Sequence, residues 1–170
     1  MKKIWNLLLR YLIIILIALP NLYLFYLIFT PITLYPVYFL LNIFFNVSIN
    51  QNIIQFSGST IELIPACIAG AAYYLLIILN LSTPNLKLGK RIKLILSSFL
   101  IFLILNILRI FFLSLLFNSG SNYFDITHKI FWYALSTVFV VGIWFFQVKY
   151  YKIKQIPFYS DLKYLWKLRK

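Results

Sequence analysis

Polar residues in this chain gather in short clusters, and long apolar stretches run between them. A bilayer crossing needs about 20 apolar residues in a helix. The first stretch, about Ile4 to Phe29, meets that length but is interrupted by Pro20. Ala18-Leu19-Pro20 makes a poor signal-peptidase site, so the stretch reads as an uncleaved first span. Ile32 to Phe45 is apolar and aromatic but short and carries Pro36, so it is expected to lie along an interface. Three clearer spans follow at about Ile64–Leu81, Ile92–Phe117 and Ile130–Val148. Val47–Leu63 has a different texture. Apolar and polar residues alternate loosely there, and Asn50-Gln51-Asn52 and Ser57-Gly58 offer turns, which predicts a small β-hairpin.

Composition turns this pattern into a class. Of 170 residues, 63% are hydrophobic and only 11% charged, too few to cover the surface of a soluble globule. With a mean hydropathy of +0.91, the chain reads as an integral membrane protein. The net charge of +13 would suit a nucleic-acid partner, but 14 of the 16 basic residues lie at the two ends and in the loop Ser82–Lys93. Asn46–Leu63 and Asn118–Thr127 contain no Lys or Arg. Basic segments stay on the cytoplasmic side, so both termini and the Ser82–Lys93 loop are expected inside and the two uncharged loops outside the cell membrane. The expected fold is therefore all-α. It has about four transmembrane helices, an outer interfacial helix at Ile32–Phe45 and the small extracellular hairpin. Residues 1–170 form one membrane domain, with a core over 46–148 and a basic tail over 149–170 that hugs a lipid surface.

Chemistry must come from few groups. One cysteine excludes an internal disulfide and a C-x-x-C metal pair, no cofactor is indicated, and there are one His and three acidic residues. Arg109 stands within a span, about 12 Å from Phe117 at 1.5 Å per residue. A guanidinium at that depth costs roughly 2.5 kcal/mol or more unless a polar cavity or partner receives it, and snorkelling to the outer interface is the bland alternative. Asn106, three residues earlier, shares its helix face. Cys67 follows Pro65, a residue favoured in a first helical turn, so it is expected in the opening turn of the second clear span. Unpaired N–H groups there would favour a thiolate, although a lone cysteine in an apolar run is more often inert packing. His128 opens the last span, where an isolated interfacial histidine need have no chemistry. Asp125 is expected to cap that helix, with a weaker second role in orienting the imidazole. The orientation puts Cys67, Arg109 and His128 at similar depth near the outer leaflet. A thiol, an imidazole that takes its proton and a guanidinium that steadies an oxyanion make an acyl-transfer site.

Three patches in this order carry a resemblance: Ala66-Cys67-Ile68-Ala69-Gly70, Asn106-Ile107-Leu108-Arg109-Ile110, and His128 opening the last span. The chain resembles the exosortase/archaeosortase family of membrane transpeptidases, most closely a short archaeosortase, over roughly Asn46 to Trp144. The family's cysteine patch commonly reads Ala-Cys-Ser/Thr-Gly, and Ile68 and Ala69 depart from its last two positions. The resemblance implies Cys67 as nucleophile, Arg109 as transition-state stabiliser and His128 as acid/base. It also implies substrates: secreted proteins ending in a recognition motif, a transmembrane helix and a basic tail, cleaved outside the membrane and passed to a lipid or other surface anchor. Two rival readings come from other classes. One is a small carrier or channel lined by Arg109 and His128; the other is a non-catalytic membrane subunit holding a partner on its aromatic surface. Only the enzyme needs Cys67.

Overall fold

The computed structural model describes residues 2–168, so Arg169 and Lys170 of the basic tail lie outside the described residues. The chain is mostly helical. Helices α1 (Lys2–Ala18) and α2 (Tyr23–Asn42) lead into strands β1 (Val47–Asn50), β2 (Ile53–Phe56) and β3 (Ser59–Glu62). A short turn of helix, α3 (Pro65–Ile68), then precedes α4 (Gly70–Leu81) and the 31-residue α5 (Leu88–Asn118). Helix α6 (Phe124–Ile130) passes through a π-helical turn (Phe131–Leu135) into α7 (Ser136–Tyr150), and α8 (Tyr159–Leu168) closes the chain.

Two helices, α2 and α5, are long and apolar enough to cross a membrane. The pair Phe124–Tyr133 and Thr137–Tyr150, bent by 48°, makes a third if it is one span. Helix α5 shows why the surroundings must be apolar. Its row Ile92, Leu96, Leu100, Ile104, Leu108 and Phe112, at four-residue spacing, is exposed, while Ser98, Asn106, Arg109 and Ser114 are buried. Water would reverse that sorting, because exposing an aliphatic row to it is unfavourable and burying polar groups costs free energy.

Proline and glycine shift several expected boundaries. Pro20 has no N–H to continue α1, and Asn21 and Leu22 turn through left-handed backbone (φ 48° and 61°), so the run from Ile4 to Phe29 is divided between α1 and α2. Ile32–Phe45 forms no separate interfacial helix. Most of it continues α2, through Pro31 and Pro36, and buries Thr33, Leu34, Val37 and Leu41. Packing against α5 outweighs the helical hydrogen bonds the two prolines remove. The expected hairpin gains a strand: the sheet is antiparallel in the order β1-β2-β3. Both predicted turns exist, with Gln51 at φ 53° and Ser57-Gly58 at φ 50° and 80°; two positive φ values in succession suit a two-residue hairpin.

The span expected at Ile64–Leu81 is broken by Ala69, which is left-handed (φ 58°, ψ 45°). Gly70 follows at a close approach, where an added Cβ would lie 2.8 Å from the Tyr26 ring. Helix begins at Phe124, ahead of the last span expected at Ile130–Val148. An aromatic stack centres the core: Phe29 and Tyr73 lie 3.7 Å apart in parallel, and Phe99 and Phe102 meet the Tyr73 ring edge-on. Each such pair adds about 0.5–1.5 kcal/mol beyond its buried area. One end of the bundle collects Arg10, Arg91 and Asp161; the sheet, α3, the end of α5 and α6 form the other.

Candidate functional site

Four elements meet around a cavity of about 240 Å³ at the sheet end. Strand β3 contributes Thr60, Ile61 and Glu62; α3 contributes Ala66 and Cys67; α5 contributes Arg109, Ile110, Leu113, Ser114 and Phe117; and α6 with the π turn contributes Phe124, His128 and Trp132. The cavity is smaller than the usual small-molecule pocket of about 300–1,000 Å³.

Cys67 sits in α3, upstream of the Ala69 break, and not in the opening turn of the long helix. Its N–H is taken by the Ile64 carbonyl at 2.8 Å. The expected benefit of a long helix's unpaired N–H groups therefore does not apply. What holds the cysteine is Asn106: its Nδ2 donates to the Cys67 carbonyl at 2.9 Å, from a side chain that is 1% exposed. Asn106 and Arg109 are three apart on α5, so one helix face fixes the cysteine backbone and brings a cation to the same cavity. Arg109 is 8% exposed and within electrostatic reach of the half-buried Cys67 thiol, as is Glu62.

His128 lies in the last turn of α6. Its ring stacks on Phe124 (centroids 5.5 Å apart, 19° between planes) and tilts against Trp132 (6.0 Å, 35°). Phe117 meets Phe124 at 5.0 Å and ties α6 to the end of α5. Asp125 plays neither expected part. Tyr123 is the N-cap residue and makes no side-chain cap bond, and Asp125 is exposed in the first turn. Among the described residues, no hydrogen bond joins Asp125 to His128, or His128 to Cys67.

The structure thus brings Cys67, Arg109 and His128 to one cavity, puts Asn106 behind the cysteine and leaves Asp125 outside. Sequence reasoning missed Phe124 and Trp132, although the four-residue spacing of Phe124, His128 and Trp132 on one helix face is a signal that could have found them. Thr60, Glu62 and Ser114 gave no such signal, because their approach depends on how β3 packs on α5. Among the described residues, no group of three His, Cys, Asp or Glu side chains could hold a metal ion. Comparison with protein-family models, with curated proteins and with solved structures finds no match.

Proposed function

We propose that this chain is a membrane cysteine peptidase or transpeptidase that cleaves the C-terminal sorting signals of secreted proteins at the outer membrane face. The observation that carries the reading is the shared cavity: residues 67, 109 and 128, on three separate elements, line one space with aromatic walls. In this reading the chain crosses the bilayer four times, through α1 with α2, α3 with α4, α5, and α6 with α7, and both termini are cytoplasmic. Helix α1 runs antiparallel to α4, with Tyr74 bonded to the Ile14 carbonyl and Arg10 to the Leu81 carbonyl, which favours that path. The lack of basic residues in Asn46–Leu63 supports an outer position for the cavity in this reading.

The chemistry is acyl transfer. His128 takes the thiol proton as the Cys67 sulfur attacks the substrate carbonyl carbon, and Arg109 offsets the charge on the tetrahedral oxygen. The C–N bond breaks, the leaving amine receives the proton from His128, and a thioester remains on Cys67. An amine acceptor or water then attacks the thioester and restores the thiol, giving transfer or hydrolysis.

Strand β3 favours a peptide as the substrate. Leu63 donates to the Asn52 carbonyl at 2.9 Å, so in the β2–β3 register the backbone groups of Leu63, Ile61 and Ser59 face β2. Those of Thr60 and Glu62 face the opposite edge, with which no strand pairs among the described residues. Both residues line the cavity. An extended substrate segment can add to this edge by main-chain hydrogen bonds, which brings its next amide toward Cys67.

The test is processing of a co-expressed secreted protein that ends in a recognition motif, a transmembrane helix and a basic tail. Cys67→Ala should abolish processing, Arg109→Ala should slow it by about 10²–10³-fold, and His128→Ala by about 10²–10⁴-fold. Asn106→Ala should slow it by loosening the cysteine backbone. Unchanged processing by Cys67→Ala would end the proposal.

A further inference from the structure

The opposite end of the bundle holds a second and larger cavity, of about 430 Å³, bounded by α1, the loop between α4 and α5, the start of α5 and α8. It is lined by charge. Asp161 on α8 is 5% exposed and accepts two hydrogen bonds from Arg10 Nη2, at 2.8 and 2.9 Å, with Tyr11 adding a third at 3.3 Å. Among the described residues the one carboxylate that lines the cavity is therefore committed to Arg10.

Arg91, 9% exposed, meets only neutral oxygens among the described residues: it donates to the carbonyls of Asn80, Leu81 (3.1 Å) and Thr83 (2.9 Å). These carbonyls close the C-terminal end of α4, whose partial negative charge offsets Arg91 only in part. Three bonds also leave two of its five N–H donors for other acceptors. Two guanidinium groups against one carboxylate leave the cavity one positive charge in excess. Asn6, Asn85 and Ser160 line it as well and can donate to an anion's oxygens.

We propose that this cavity is a binding site for a phosphate group, as a lipid headgroup or as free phosphate, with Arg91 as its main contact and Arg10 adding charge behind it. A tetrahedral oxyanion matches the guanidinium fork and supplies the missing negative charge. The site stands at the bundle end where Lys87, Lys90 and Lys93 surround the start of α5, a setting in which basic pockets between helices hold lipid headgroups. The proposal does not depend on the peptidase reading.

The test measures thermal unfolding of the full chain in maltoside detergent micelles, which carry no phosphate, alone, with phosphatidylglycerol added, and with inorganic phosphate added. A ligand of the folded state raises the midpoint as its concentration rises. The informative variant is Asn85→Asp. Asn85 is exposed and left-handed (φ 58°), a conformation aspartate tolerates, so the change adds a negative charge to the cavity wall and leaves both arginine networks intact. Its own midpoint should stay level or rise, while phosphate binding weakens about tenfold or more through repulsion. Lys163→Gln with Lys167→Gln should keep the wild-type increment. An increment with phosphatidylglycerol assigns the site to headgroups; one with inorganic phosphate alone assigns it to the free anion. No increment with either probe, or a full increment in Asn85→Asp, overturns the proposal.

Discussion

Replacing Ala69 with glycine should stabilise the protein. Ala69 separates α3 from α4 in a left-handed conformation, φ 58° and ψ 45°, with its N–H on the Pro65 carbonyl at 3.1 Å. A residue with a Cβ pays about 1–2 kcal/mol to sit there and glycine almost nothing. Glycine also gives the unfolded chain more freedom, which takes back about 0.4–1 kcal/mol. The net gain is about 0.5–1 kcal/mol. For a chain of this length that raises the unfolding midpoint by about 1–4 °C. The assay is thermal unfolding in detergent, followed by the rate at which Cys67 becomes open to a thiol reagent. Ala71→Gly, two residues later in the first turn of α4, is the control and should lower the midpoint by a similar amount. If Ala69→Gly lowers the midpoint as the control does, Ala69 is not left-handed and the break before α4 is wrong.

Three further outcomes follow from the packing. Gly70→Ala should destabilise by about 1–3 kcal/mol, because the new methyl meets the Tyr26 ring; in the Tyr26→Ala background the added cost should shrink, as thermal unfolding of the double variant will show. Tyr73→Phe should be neutral or stabilising by about 1 kcal/mol in the same assay, since its hydroxyl is buried without a hydrogen-bond partner among the described residues. A loss above about 1 kcal/mol would mean that the hydroxyl has a partner. Thr60→Pro removes an outward N–H from the β3 edge, and substrate processing should fall about tenfold while the unfolding midpoint holds; Thr60→Ala should process normally. Equal processing by the two variants would show that substrate does not pair with that edge, and Cys67→Ala tests the peptidase reading separately.

Much of the helical architecture was legible because apolar runs long enough for a bilayer must satisfy their backbone groups as helices. The run at Ile92–Phe117, the turns at Gln51 and Ser57-Gly58 and the placing of Asn106 beside Arg109 all follow from period, length and turn chemistry. Tertiary packing decided the rest. Ile32–Phe45, with Pro36 in it, read as a separate interfacial helix, yet α2 runs through Pro31 and Pro36 because its buried face gains more against α5 than the missing hydrogen bonds cost. Ala69 carries no local mark of a left-handed residue; only the fit of α3 and Gly70 against α2 explains it. Which groups share a cavity is likewise not a local property. Cys67 and His128 are 61 residues apart, and the aromatic neighbours of His128 and the bond from Asn106 to the cysteine carbonyl arise only when α3, α5 and α6 pack together. The pairing of Arg10 with Asp161 spans 151 positions, so periodicity, which reports on neighbours within a helix or strand, has no means of announcing it.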